Sequence, residues 1–114
     1  MTRYSMLKTL YNEQCLLPMP HIHELDFSDF NKNKVCPYLT DCEISGTIHS
    51  YIHAIENNKV IQIETYHNLE ESRNNLEKIL KTSDDYTYEY FYNWYTLSKL
   101  VLNEIEKNPS ILSC

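Results

Sequence analysis

Glycine is almost absent from this sequence: its 114 residues include one, Gly46. Loops that cradle a phosphate need several glycines, because the backbone must approach the phosphate closely and at positive φ. The P-loop, the dinucleotide-binding fingerprint and the nucleophile elbow of serine hydrolases are therefore excluded. The composition thus removes the enzyme classes that depend on these three motifs.

Long apolar runs are missing as well. No stretch approaches the ~20 apolar residues of a membrane-spanning helix, and the first ten residues contain Arg3 and Lys8 and do not resemble a secretory signal. We therefore expect a cytoplasmic protein, or one of the host cytoplasm if it is viral, with no membrane partner. Cysteines stay reduced in that compartment, and Cys15, within an apolar stretch, is expected to be a small buried side chain.

Basic residues are fewer than acidic ones: the sequence has ten Lys and Arg and sixteen Asp and Glu, which gives a net charge of −6. Residues 43–114 carry most of the excess, with six basic and eleven acidic side chains. No segment clusters Lys and Arg on one face, so direct nucleic-acid binding is not expected. We expect a protein partner with a basic surface instead, because complementary potentials steer association. The alternative is that the acidic charge serves solubility alone.

The length predicts a single globular domain over residues 1–114. Helical spacing of apolar residues predicts three helices, over residues 2–16, 68–81 and 84–107. Ser83 or Asp84 is the expected cap of the last helix. The buried face of that helix is predicted to carry Tyr90, Phe91, Trp94, Leu97, Val101 and Ile105. Residues 21–27 alternate in polarity and are predicted to form an edge strand or an extended arm.

Residues 43–66 are compatible with two structures. As a helix, the segment places Ile44, Ile48 and Ile52 on one stripe. As a hairpin that turns at Asn57 and Asn58, it uses many β-branched and aromatic residues, and adjacent Asn residues tolerate the positive φ of a tight turn. The hairpin is preferred. The predicted fold is therefore α+β, with a small antiparallel sheet (hairpin about 43–66) packed against two C-terminal helices and an N-terminal helix; the alternative is an all-α four-helix bundle.

Tyrosines crowd the first half of the last predicted helix. On a helical wheel Tyr88 and Tyr92 lie opposite the buried face, beside Glu89. Tyrosine supplies rigid apolar area with a polar tip and is enriched at protein interfaces. We therefore predict a partner-binding surface formed by Tyr88, Tyr92 and Glu89 with Asp84 and Asp85. The alternative is that the N-terminal helix or a loop at residues 28–42 covers the two tyrosines.

Histidine and cysteine form the other candidate site. Its members are Cys36, Cys42, His49 and His53, in the pattern C-x5-C-x6-H-x3-H, with His21 and His23 as an H-x-H upstream. Zinc takes four such ligands, although the spacing matches no common zinc finger. In a hairpin His49 and His53 share one sheet face. In a helix, about 10.5 Å of axial rise separates Cys42 from His49, which is too far for one ion to bridge.

Together these features predict a small, acidic, non-catalytic protein-binding module. Inhibitor, immunity and adaptor proteins, including those of phages and mobile elements, share this size, acidity and lack of catalytic motifs. Carboxylates beside exposed tyrosines also fit a mimic of nucleic acid. The alternative is a small zinc-binding or other metal-binding protein, or a metalloenzyme, that uses the histidine and cysteine residues. Apart from that zinc, no cofactor is expected.

Overall fold

A computed structural model of the chain describes residues 2–21 and 35–113. Within them lie the helices α1 (Arg3–Cys15), α2 (Pro37–Glu56), α3 (Ile63–Lys81) and α4 (Asp85–Lys107). Two short strands, β1 (Ile61–Gln62) and β2 (Leu112–Ser113), and a 3-10 turn (Pro109–Ile111) complete the described elements. The three helices predicted from periodicity are confirmed, although α3 begins five residues earlier than expected. Of the predicted strand at 21–27, residues 22–27 lie outside the described residues.

The predicted α+β fold with an antiparallel hairpin over residues 43–66 is wrong. Most of that segment belongs to α2, and the rest forms β1 and the start of α3. The physical reason is burial: a hairpin places Tyr51 and Ile52 on opposite faces, whereas the helix buries both, together with Ile44 and Ile48. Strand propensity depends strongly on context, and the packing of one continuous apolar stripe outweighs it. The described elements agree with the all-α alternative.

The expected turn at Asn57 and Asn58 exists, but it ends a helix. Asn58 has a φ of 52°, in the left-handed region that Asn tolerates. The Asn58 N–H donates to the Ile55 carbonyl at 3.5 Å, and the Lys59 N–H donates to the Ala54 carbonyl at 2.9 Å. This pair of bonds is a Schellman motif, which satisfies the free carbonyls at the end of α2. The same residues that favour a hairpin turn thus serve as a helix C-terminus.

The core lies where α4 packs against α1, α2 and α3. The predicted buried face of α4 is confirmed, since its six residues are all buried. Leu69, Leu76 and Ile79 of α3 are buried in the same core, and Leu80 packs against it partly buried. On α1, Leu7 and Gln14 are the buried residues. Cys15 is exposed, contrary to expectation, because it follows Gln14 and points about 100° away around the helix.

Two strands of two residues each connect separate parts of the helical fold. β1 and β2 pair in parallel, with Ile61 opposite Leu112 and Gln62 opposite Ser113. Parallel strands need a long connection, which α3 and α4 supply here. The pairing holds the segment that follows α4 beside the connection between α2 and α3. None of the helices described is both long enough and apolar enough to cross a membrane.

Candidate functional site

Three tyrosines of α4 attach this helix to other parts of the chain. The Tyr86 hydroxyl donates to the Pro18 carbonyl at 2.7 Å, downstream of α1. The Tyr90 hydroxyl donates to a carboxylate of α2 at 2.6 Å. The Tyr95 hydroxyl donates to Glu77 Oε1 of α3 at 3.1 Å. These side chains have structural roles, because each one satisfies its hydroxyl against a neighbouring element.

Tyr88 and Tyr92 differ from those three. Their rings stack, with centroids 5.8 Å apart and planes inclined by 12°. The residues are 41% and 47% exposed. Neither hydroxyl has a hydrogen-bond partner in the part of the chain that is described. Their exposure argues against the alternative in which α1 covers them; of the loop named in that alternative, residues 28–34 lie outside the described ranges.

The predicted acidic residues lie beside the tyrosine pair. Asp84 is the N-cap residue of α4, Asp85 is its first residue, and Glu89 lies one turn further on. All three are exposed, and none forms an ion pair with another described residue. Asp84 holds the expected cap position, but its side chain makes no capping hydrogen bond.

The structure therefore brings all five predicted residues onto one exposed strip of about two turns. We call it the tyrosine strip; it consists of Asp84, Asp85, Tyr88, Glu89 and Tyr92. Negative charge near the N-terminus of a helix is favourable, because the helix dipole is positive there. The helix dipole thus stabilises the negative charge of the strip, although its carboxylates form no ion pair with a described basic residue.

A groove between α1 and α4 begins at the end of the tyrosine strip. Its larger part has a volume of about 450 Å³ and is lined by Leu10, Glu13, Gln14, Leu17, Tyr92, Asn93, Thr96 and Leu97. A second part, of about 280 Å³, is lined by Arg3, Met6, Leu7, Leu100, Asn103, Glu104 and Lys107. Both sets fall on the same flank of the two helices. We call the two parts together the α1/α4 groove.

Sequence reasoning missed this groove. Leu10 and Leu17 are both partly exposed at the groove. The available signal was the spacing of Met6, Leu10 and Leu17, which places a second apolar stripe beside the buried one.

Sequence reasoning also missed Asp41, which orients α4. Its Oδ1 accepts hydrogen bonds from the Tyr90 hydroxyl at 2.6 Å and from Trp94 Nε1 at 3.0 Å. Burial, and then the hydrogen bond to Asp41, raise the pKa of Tyr90 above its ordinary value. Gln14 Nε2 donates to the Tyr90 carbonyl at 3.0 Å, so α1 is joined to the same point. This network determines how the tyrosine strip is presented.

The histidine and cysteine residues are spread along α2. Cys36 is the N-cap of that helix and lies 17 residues before His53, which corresponds to about 25 Å along the axis. His49 and His53 lie one turn apart, and both are exposed, as are Cys42 and His21. The helix therefore spreads the four residues of the pattern over about 25 Å, and only His49 and His53 are neighbours.

No group of three or more His, Cys, Asp or Glu side chains in the described ranges is placed to hold a metal ion. His23 lies outside those ranges. The metal-binding hypothesis gains no geometric support and stays a prediction, which elemental analysis of untagged protein tests.

The comparisons with known proteins supply no relative. No protein-family model matches the sequence, no curated protein matches it, and no solved structure matches the fold.

Proposed function

We propose that this protein is a small non-catalytic module that binds another protein through the tyrosine strip. One observation carries the proposal: of the five tyrosines in α4, the two without a hydrogen bond among the described residues are those that stack on the surface. Tyr86, Tyr90 and Tyr95 each bond to another part of the fold. The rings of Tyr88 and Tyr92 stack on each other, and neither hydroxyl forms a hydrogen bond with another described residue.

The physical chemistry of the pair favours binding. Tyrosine has few rotatable bonds, so its ordering at an interface costs little entropy. Stacking of Tyr88 on Tyr92 further limits the freedom of both rings before a partner arrives, and such preorganisation increases affinity. Their free hydroxyls remain able to donate to and accept from partner groups.

The charge of the strip defines the kind of partner. Three carboxylates border the tyrosines, and none is neutralised by a described residue, within a chain of net charge −6. A partner with a basic surface is therefore steered toward the strip, and its Lys or Arg residues gain acceptors there. Inhibitors, immunity proteins and adaptors act in this way, by occupying a surface without breaking or forming covalent bonds.

Affinity capture from cells of the source organism tests the proposal. The bait is the full chain, compared with the double variant Tyr88→Ala with Tyr92→Ala. For the captured partner, each tyrosine that is a hot spot costs ~2 kcal/mol or more, so we expect roughly 30-fold weaker binding per residue. Titration of the purified partner by calorimetry gives the ratio.

Two controls accompany the capture. Leu39→Ala removes an exposed apolar side chain of α2 that does not belong to the strip, and should leave the affinity unchanged. Thermal melting should show that the double variant stays folded, because both rings lie on the surface. Equal affinity of the double variant and the natural sequence for the captured partner would refute the proposal.

A further inference from the structure

Helix α1 has apolar side chains on two flanks. Leu7 is buried in the core, and Tyr11 packs edge-on against Trp94 with ring centroids 6.0 Å apart. A second stripe, formed by Met6 and Leu10 of α1 and by Leu17 just beyond the end of the helix, remains 41%, 37% and 38% exposed. A helix that is apolar on more than one flank usually packs on more than one flank. The described elements therefore cover this second stripe only in part.

The α1/α4 groove has the dimensions of a helix-binding site. The two helices run antiparallel, since the Arg3 guanidinium lies 3.6 Å from Glu104 Oε1 at one end, and Gln14 bonds to the Tyr90 carbonyl at the other. Along α1, from Arg3 to Cys15, the groove extends about 18 Å, the length of more than three helical turns. Side-chain ridges of two neighbouring helices form a channel that accepts the ridge of a third.

The two ends of this groove differ in charge. At the end near Tyr92, Glu13 and Glu89 are exposed and have no ion-pair partner in the described ranges. At the opposite end, Arg3 and Lys107 both approach Glu104 Oε1, at 3.6 Å and 3.9 Å. The basic end is thus partly neutralised within the chain, whereas the acidic end is not.

We infer that the α1/α4 groove binds an amphipathic helix of the partner protein, with the basic end of that helix beside Glu13 and Glu89. This inference rests on the proposed function, because Tyr92 belongs to both the tyrosine strip and the groove. The apolar face of the incoming helix covers Leu10 and Leu17, in the manner of helix-in-groove recognition. Its Lys or Arg residues supply the charges that the acidic end lacks.

A second copy of this chain fits the groove less well. Each copy carries a net charge of −6. The basic residues on this face, Arg3 and Lys107, are already shared with Glu104, so they leave the Glu13 end of another copy uncompensated. The charge of the groove therefore favours a basic helix from a different protein.

Selection from a displayed library of randomised peptides of ~16 residues, about four helical turns, provides the probe. The target is the full chain. We expect the enriched peptides to carry apolar residues at positions i, i+4, i+7 and i+11, with Lys or Arg concentrated near one end. Enrichment of peptides without helical spacing, of acidic peptides, or of none at all would overturn the inference.

Two groove variants are then tested with the selected peptide. Leu10→Glu with Leu17→Glu places charge in the apolar stripe, and Glu13→Lys with Glu89→Lys reverses the acidic end. We expect each to weaken binding at least tenfold, and added salt to weaken the natural sequence more than the lysine variant. The second variant changes only exposed charges, so it gives the answer even where the first lowers stability.

Matched controls lie on other helices. Glu64→Lys with Glu71→Lys reverses two exposed charges on α3, and Leu39→Glu adds a charge on α2. Both should bind the selected peptide within twofold of the natural sequence. Equal weakening by the groove variants and by these controls would show that only the net charge matters, and would overturn the inference.

The captured native partner separates this inference from the proposed function. Tyr88 does not line the groove, whereas Leu10 and Leu17 are not in the tyrosine strip. If Tyr88→Ala weakens the native complex while Leu10→Glu with Leu17→Glu leaves it unchanged, the proposed function stands and the helix-binding groove is refuted. If Leu10→Glu with Leu17→Glu weakens it and Tyr88→Ala has no effect, the partner binds the groove and the tyrosine strip is refuted. The variant that contains Glu89→Lys is left out of this comparison, because Glu89 belongs to the strip. A dimer of the isolated chain in sedimentation, lost on Leu10→Glu, would place a second copy in the groove and overturn our choice of occupant.

Discussion

At the scale of single residues, Asp41 shows how one carboxylate determines the presentation of a surface. It lies on α2, yet its hydrogen bonds end on Tyr90 and Trp94 of α4. Tyr90 is flanked by Tyr88 and Tyr92 two positions away on either side. The tyrosine strip therefore faces outward because the tyrosine between its two rings is held inward.

Removal of this carboxylate is expected to destabilise the fold. In Asp41→Ala the Tyr90 hydroxyl and the Trp94 N–H lose their acceptor, and each unsatisfied donor costs ~1–3 kcal/mol. We expect a loss of about 2–4 kcal/mol in the free energy of unfolding, measured with urea. Asp41→Asn is the control, since its amide oxygen still accepts and should retain about half of that stability. A loss below ~0.5 kcal/mol in Asp41→Ala would contradict this account.

Substitution of Gly46, in contrast, is expected to stabilise the fold. It lies within α2, its φ is not positive, and a Cβ built there has no atom within 4 Å apart from those of its own helix. Glycine inside a helix costs ~1 kcal/mol relative to alanine. Gly46→Ala should therefore raise the free energy of unfolding by about 1 kcal/mol, measured by urea titration. Destabilisation would show that this side of α2 is covered.

At the scale of elements, an ion pair links α1 to α2. The Lys8 ammonium contacts the Glu56 carboxylate, and the Tyr4 hydroxyl lies beside the same carboxylate. The hydrogen bond from Lys8, and then the nearby Tyr4 hydroxyl, lower the pKa of Glu56 below its ordinary value of 4.5. Because the folded-state pKa is lowered, the stabilisation is present above pH 4.5 and is lost as the pH falls through the folded-state value.

The variant Glu56→Gln tests this pH dependence. The natural sequence should be more stable than the variant at neutral pH, and the difference should shrink as the pH falls below about 4. Urea midpoints measured across the acidic range give the comparison. Glu64→Gln, which changes an exposed carboxylate outside any ion pair of the described residues, is the control. A difference that is constant with pH would exclude the ion pair as the cause.

At the scale of the whole molecule, the buried tyrosines predict how the stability of the fold changes at alkaline pH. Burial raises the pKa of Tyr4 and of Tyr11 from 10.0 to about 12. Burial also raises the pKa of Tyr51, Tyr66 and Tyr95. Since the folded-state values are raised, the stabilisation from neutral phenols is complete below pH 10 and declines as the pH rises toward 12.

Alkaline titration of the folded protein should therefore be cooperative. We expect part of the phenolate absorbance to appear together with the loss of helical circular dichroism, at a pH above 10. Tyr11→Phe keeps the ring against Trp94 and removes one shifted group, so its stability should fall less steeply with pH. Complete ionisation of all tyrosines before any helix is lost would contradict this prediction.

Periodicity alone determined α1, α3, α4 and the buried face of α4, because a stripe at helical spacing records which side chains face a core. It also placed Tyr88 and Tyr92 on the opposite side of α4, where the structure shows them exposed. Tertiary structure decided the conformation of residues 43–66. The local sequence supports both a helix and a hairpin. Only packing against the apolar faces of α3 and α4 favours the helix.

Tertiary contacts also decided the role of Asp41 and the existence of the α1/α4 groove. Asp41 accepts hydrogen bonds from residues about 50 positions away, and the spacing of neighbouring residues does not indicate such long-range contacts. The groove likewise cannot be read from the sequence of α1 or of α4 alone, because it exists only where the two helices lie side by side. The sequence by itself therefore determined which helix faces are buried and which are exposed. The packing of the helices decided which exposed residues are neighbours, because those residues come from segments that are distant in the sequence.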